Sequence, residues 1–148
     1  MEPAVVDASV ALAWVIPDET IEPAAVRLLL AYHGGQVRLL APSLWEYEVA
    51  NALSAGVRRK RLTAAEGKEA LDSLLRLGIS LHDFESVADR AWELSHQHGL
   101  SVYDAAYLAL AEQRECPLYT ADRRLARVGA DLGVARWIGE FEADGGKP

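Results

Sequence analysis

Short apolar runs alternate with longer stretches of helical periodicity from one end of this 148-residue chain to the other. That alternation leaves few folds open. Strand signals fall at residues 4–7, 37–40, 79–81, 117–120 and 134–137, each three or four residues of mostly apolar character. Helical spacing covers residues 9–15, 22–33, 44–57, 63–78, 86–98, 101–114 and 122–128. The punctuation agrees. Pro17 stops the first helix, Pro23 sits early in the second where its missing N–H costs nothing, and Gly34-Gly35 ends it. Ser43 is placed to cap the third helix, and Gly99 to close the fifth. Thr63 with Glu66, and Ser101 with Asp104, have capping-box spacing. Strands that each follow a helix connect by right-handed crossovers. The expectation is an α/β fold of three layers, α/β/α, around a mainly parallel sheet covered on both faces.

The length fits one domain, predicted over residues 1–140, with residues 141–148 and their Gly145-Gly146 pair as a flexible tail. A hydrophobic content of 51% beside 25% charged residues suits a packed core and excludes a disordered chain. Cys116 is the single cysteine, so no intrachain disulfide can form, which suits a reducing cytoplasm. No secretory signal is visible, and the apolar run at residues 8–16 is too short to span a bilayer. A cytoplasmic protein without a membrane partner is expected. The net charge of −7 argues against tight non-specific binding of nucleic acid. Local charge counts for more, and two basic clusters stand out: Arg58-Arg59-Lys60-Arg61, and Arg123-Arg124 with Arg127. Arg123 and Arg124 follow an acid directly and are candidates to meet a substrate phosphate.

Four acids sit where an acid is least expected. Asp7 closes the run Ala4-Val5-Val6, Glu48 lies inside the apolar helix at 44–57, Asp104 opens the run at 103–111, and Asp122 follows Leu118-Tyr119-Thr120. An acid flanked by core-forming residues needs a partner. Asp7, Asp104 and Asp122 each have a plain alternative as helix caps, favoured by the positive end of the helix dipole. Glu48 does not. It lies five residues past Ser43 on a stripe with Leu44, Asn51, Ala52 and Ala55, while Glu46 points to a different face. In a parallel sheet ligands bind beyond the carboxyl ends of the strands, where Asp7 and Asp122 fall. Carboxylates gathered without a cation repel by about 4 kcal/mol per pair at 4 Å for an effective dielectric near 20. A hard divalent cation removes that cost and prefers oxygen ligands.

Four stretches carry a family likeness: Val5-Val6-Asp7-Ala8-Ser9; Pro42-Ser43-Leu44 with Glu48-Val49-Ala50-Asn51-Ala52-Leu53; Tyr103-Asp104-Ala105-Ala106-Tyr107-Leu108-Ala109; and Tyr119-Thr120-Ala121-Asp122. In order and spacing they resemble the signature stretches of PIN-domain ribonucleases, and most of all the VapC-type toxins of toxin–antitoxin pairs. The likeness spans residues 4–137. It implies a PIN-like fold and a metal-dependent endoribonuclease with Asp7, Glu48, Asp104 and Asp122 as its acidic quartet. Ser9, Asn51 and Thr120 take supporting roles. Trp45 and Tyr47 are bulkier than the pattern leads one to expect. The likeness also implies an RNA substrate, a small antitoxin covering the acids, and self-association as a homodimer. The apolar helices at 22–33 and 44–57 are the candidates for the antitoxin's groove.

A bound Mg²⁺ or Mn²⁺ activates water for attack on a phosphodiester and stabilises the leaving oxygen. Asp7 and Asp104 are the candidate direct ligands, with Glu48 and Asp122 orienting water or completing a second site. Two rival readings stand beside this one. An aspartate-dependent phosphotransfer domain also sets acids at strand ends, but it wants a lysine near the phosphoryl group; Lys60, Lys68 and Lys147 follow no strand, and Ser9 stands where a phosphatase of that kind needs a second Asp. A non-catalytic RNA- or protein-binding module would have little need of the whole quartet. His96 and His98, two apart on a helix, point to different faces.

Overall fold

The computed structural model describes residues 1–16 and 21–142. Pro17 and the tail at 143–148 lie outside the described residues. Five strands form one sheet: β1 (Glu2–Val6), β2 (Val37–Pro42), β3 (Ser80–His82), β4 (Leu118–Thr120) and β5 (Ala135–Trp137). Their order is β3-β2-β1-β4-β5, and every pairing is parallel. Seven α-helices flank them: α1 (Ala8–Val15), α2 (Glu22–His33), α3 (Leu44–Arg58), α4 (Ala64–Leu75), α5 (Ala88–His98), α6 (Val102–Gln113) and α7 (Arg123–Asp131). The three-layer α/β/α architecture is the one expected.

The chain starts in the middle of the sheet. It winds outward through β2 and β3, then returns to lay β4 on the other side of β1. The strand order therefore reverses between β1 and β4, where Val5 is in register with both Leu40 and Leu118. A crevice at such a switch point is where ligands of parallel sheets bind. Asp7 and Asp122 follow β1 and β4 at that crevice.

Helix α6 packs across β1, β2 and β4 and is buried on every side from Ala105 to Ala111. Its sequence Ala-Ala-Tyr-Leu-Ala-Leu-Ala shows no polar face because no face meets water. The small residues let strands and helices approach it closely. A second close approach is Gly129 on α7. A Cβ there would stand 2.0 Å from the Cβ of Ala135 and 2.8 Å from Leu108 Cδ2.

Local expectations were met unevenly. Thr63 and Glu66 form the full capping box: the Thr63 N–H donates to Glu66 Oε1 (2.8 Å) and the Glu66 N–H to Thr63 Oγ1 (3.1 Å). Gly99 closes α5 in the left-handed region at φ +64°. Ser43 does not cap α3 with its side chain. Its backbone is already helical at φ −58°, ψ −25°, which turns the hydroxyl away from the next N–H groups. Only half of the second box forms, since Ser101 Oγ accepts the Asp104 N–H while the Asp104 carboxylate leaves the cap free. The helix expected at 86–98 is broken by Val87 at φ −127° into a single 3₁₀ turn, Phe84–Ser86, and α5. Phe141 packs edge-on to Tyr119 in the core, so the packed body reaches one residue past the expected boundary at 140.

Candidate active site

Asp7 is the best-held acid among the described residues. It is only 5% exposed and caps α1, its Oδ1 accepting the Val10 N–H at 3.2 Å. Ser9 Oγ donates to the same oxygen at 2.5 Å, and Thr120 Oγ1 donates to Oδ2. Both hydroxyls are themselves fixed: Ser9 Oγ accepts the Ala121 N–H (2.9 Å) and Thr120 Oγ1 the Asp122 N–H (2.9 Å). One side-chain network thus ties the start of α1 to the β4–α7 junction.

Asp122 caps α7, Oδ1 accepting the N–H groups of Arg124 (2.9 Å) and Leu125 (3.1 Å). The capping alternative read from sequence is therefore real for Asp7 and Asp122, and it leaves each carboxylate aimed along a helix N-terminus at the crevice. Asp104 stands in the first turn of α6 with its carboxylate outside the cap. Glu48 comes from the second turn of α3 and accepts the Tyr107 hydroxyl on Oε1 at 2.6 Å. Glu46 is exposed.

The carboxylates feel one another in sequence around the crevice. Burial pushes Asp7 up to about 6 against the opposing hydrogen bonds of Ser9, Thr120 and Val10, and the Glu48 charge adds to the rise. Burial also raises Glu48, opposed by the Tyr107 hydroxyl and reinforced by the Asp104 charge. Asp104 is raised by burial and by the Asp122 charge, and lowered by Arg124 and the Ser101 hydroxyl. The Tyr107 phenol is pushed well above its ordinary value by burial and by Glu48, so it stays a donor.

Every donor around the crevice is an oxygen, the kind a hard divalent cation takes, and the mutual repulsion is the kind it relieves. In spacing the arrangement is open. Among the described residues no three acids, histidines or cysteines stand close enough to hold an ion between them directly. Mg²⁺ keeps several waters and takes one or two carboxylates, which suits an open set.

The other sequence candidates divide. Ser9 and Thr120 are in the site. Asn51 is exposed on α3, and no side-chain hydrogen bond ties it to the acids among the described residues. The Arg123 guanidinium lies 4.0 Å from the centre of the Trp137 ring, and Arg124 Nη2 donates to the Gly99 carbonyl at 2.7 Å. Arg124 nevertheless stays near enough to Asp104 to stabilise its charge. On α3, Trp45 and Val49 are buried in the core, while Ala50, Leu53, Ser54 and Val57 line an open, mostly apolar groove with Ala64, Gly67, Lys68 and Leu71. On α2, Leu30 (63% exposed) and Val26 do face solvent. Among the described residues no helix is long and apolar enough to cross a membrane.

Tyr107 is the site residue that sequence reading passed over. Its signal was present: three residues after Asp104 it lies on the same helical face, a phenol in a run of Ala and Leu.

A family model for the PIN domain matches residues 4–131, and the chain belongs to the PIN-domain family. Within it the chain stands with the VapC ribonucleases. It is 40% identical over 125 residues to ribonuclease VapC9 of Mycobacterium tuberculosis, covering 84% of this chain and 90% of that one. It is 38% identical over 124 residues to ribonuclease VapC3 of Pyrobaculum aerophilum, covering 82% and 91%. The crystal structure of PAE2754 from Pyrobaculum aerophilum shares the fold at a TM-score of 0.68 and 23% identity, over 91% of this chain and 83% of that one.

Proposed function

We propose that this chain is a Mg²⁺- or Mn²⁺-dependent endoribonuclease and the toxin of a toxin–antitoxin pair acting in the cytoplasm. One observation supports the reading: four acids from separate segments are linked by charge, Asp7 with Glu48, Glu48 with Asp104 and Asp104 with Asp122, and burial with these charges raises the pKa of three of them. The names of the VapC relatives supply the substrate class, RNA.

Asp7 and Asp104 are the residues to hold the cation, with Glu48 and Asp122 acting through water. When bound, the ion supplies a Lewis acid that lowers the pKa of water and offsets the charge growing on the phosphate. The chain's own part is positioning. Ser9 and Thr120 hold both oxygens of Asp7, so its carboxylate keeps one orientation. Tyr107 fixes Glu48 Oε1 and leaves the other oxygen to orient a water. Arg124 is the better placed of the two arginines to meet a phosphate, because Arg123 is committed to Trp137.

The antitoxin is a small protein that puts a cationic side chain among the acids and docks against the exposed Val26 and Leu30 of α2. The toxin itself pairs as a homodimer. Cleavage of single-stranded RNA by the purified chain tests the enzymatic core. Activity should appear with Mg²⁺ or Mn²⁺, vanish in EDTA, and be lost in Asp7→Asn and Asp104→Asn. Cleavage that persists in EDTA, or in either variant, overturns the assignment.

A further inference from the structure

The outer face of α3 is unlike the buried face that holds the fold. Tyr47, Asn51, Ser54 and Arg58 are all exposed, and at 100° per residue they fall within about 60° of one another, forming one stripe. The stripe begins beside Glu48 at the site and runs about 16 Å along the helix, at 1.5 Å per residue. It ends in the basic cluster at residues 58–61. Three properties set this stripe apart.

Tyr47 is 79% exposed, so its ring has no packing role. Tyr103, likewise exposed, stands one residue before Asp104 as Tyr47 stands before Glu48, so an aromatic face meets water one position from each of two acids in sequence. Next, Arg58 Nη1 donates to Ser54 Oγ at 2.7 Å, which turns the guanidinium back along the stripe toward the site. Finally, the four consecutive cations of the cluster are exposed, and none takes part in a salt bridge among the described residues. In a chain of net charge −7, four adjacent cations without acidic partners are a local reversal of sign. Aromatic faces that stack on any base, combined with a cationic path for the backbone, are the chemistry of sequence-tolerant single-strand binding.

We infer that the exposed face of α3, from Tyr47 to the basic cluster at 58–61, is the track on which single-stranded RNA is held on its way into the acid crevice. The inference rests on the nuclease reading above and adds where the substrate lies and in what form. Tyr47 stacks on a base next to the cut phosphate, Asn51 and Ser54 offer hydrogen bonds to sugar or base edges, and Arg58 with its neighbours takes phosphates further out. A duplex, whose bases are already stacked, gains nothing from Tyr47.

The test uses the full chain carrying Asp104→Asn as a non-cleaving parent and a mixed-sequence single-stranded oligoribonucleotide as probe. Adding Tyr47→Ala should weaken binding about fivefold or more, the loss expected for one stacked base. Adding Arg59→Ser, Lys60→Ser and Arg61→Ser together should flatten the slope of log affinity against log salt by about two, at roughly 0.7 per phosphate contact. In the cleaving chain the same changes should fall on KM rather than kcat. If the parent binds RNA and neither change alters affinity or slope, the track is overturned while the nuclease reading stands. If the unsubstituted chain cuts no RNA with Mn²⁺, both fall. If Tyr47→Ala instead splits a dimer and leaves RNA affinity unchanged, the stripe belongs to a second copy of the chain and the track is overturned.

Discussion

Tyr107 holds Glu48 across 59 positions of sequence, its hydroxyl 2.6 Å from Oε1. The contact joins α6, the most deeply buried helix, to the second turn of α3. It lowers the pKa of a carboxylate that burial and Asp104 raise. Tyr107→Phe keeps the ring in its packing and removes only the donor. Glu48 then ionises at higher pH, so the acidic limb of the pH–rate profile should move upward. An unmoved acidic limb would make the contact merely structural.

Glu48→Gln and Glu46→Gln separate the two faces of α3. Glu48 is half-buried at the crevice, and Glu46 is exposed some 200° around the helix at 100° per residue. Cleavage assays should find Glu48→Gln at least tenfold slower and Glu46→Gln within about twofold of the parent. The reverse order would place the catalytic face on the wrong side of the helix.

Metal-free stability should depend on pH through Asp7. Its folded pKa of about 6 lies above its ordinary value of 3.8, so the folded state binds the proton more tightly than the unfolded state. Stability is greatest below the ordinary value and falls as pH rises from about 4 to about 6, by on the order of 3 kcal/mol at 1.36 kcal/mol per pKa unit. Asp7→Asn keeps a cap on α1 and should flatten this dependence in melts recorded in EDTA. A wild-type melting temperature that rises between pH 4 and 6 contradicts it.

Asp104→Asn removes one charge from the crevice without breaking a cap, because the capping bond comes from Ser101. Near neutral pH it should raise the metal-free melting temperature. Mg²⁺ at a hundred times its Kd should then stabilise the wild type by about 2.7 kcal/mol and the variant by less. Equal responses to Mg²⁺ in the two proteins would show that Asp104 plays no part in holding the ion.

Gly129→Ala tests the seat of α7. The new methyl would meet Ala135 and Leu108, both buried, and overpacking of this kind costs about 1–3 kcal/mol. The melting temperature should drop by several degrees, at roughly 2–4 °C per kcal/mol. Since Asp122 caps that helix, cleavage should weaken with it.

Much of this was legible in the residues. The alternating strand and helix signals led to the parallel sheet because buried strands and helices each need one contiguous apolar run, and punctuation by Pro and Gly marks their ends. The acids were legible because each interrupts such a run. Hydroxyl chemistry was not. Whether Ser43 caps depends on its backbone angles, and whether Ser101 and Asp104 form one bond or two depends on where the carboxylate is drawn by charges distant in sequence. Tyr107 was hidden for the same reason: its partner lies on another helix, and no local spacing records it.

The network around Asp7 closes between Ser9 and Ala121 and between Asp7 and Thr120, contacts 112 and 113 positions apart. A chain still being synthesised and ending before Thr120 can fold β1 and α1 but lacks the hydroxyl that holds one oxygen of Asp7, and it lacks Asp122 altogether. On the proposed nuclease reading, a growing chain that has not yet reached Asp122 has no complete site with which to cut the message that encodes it.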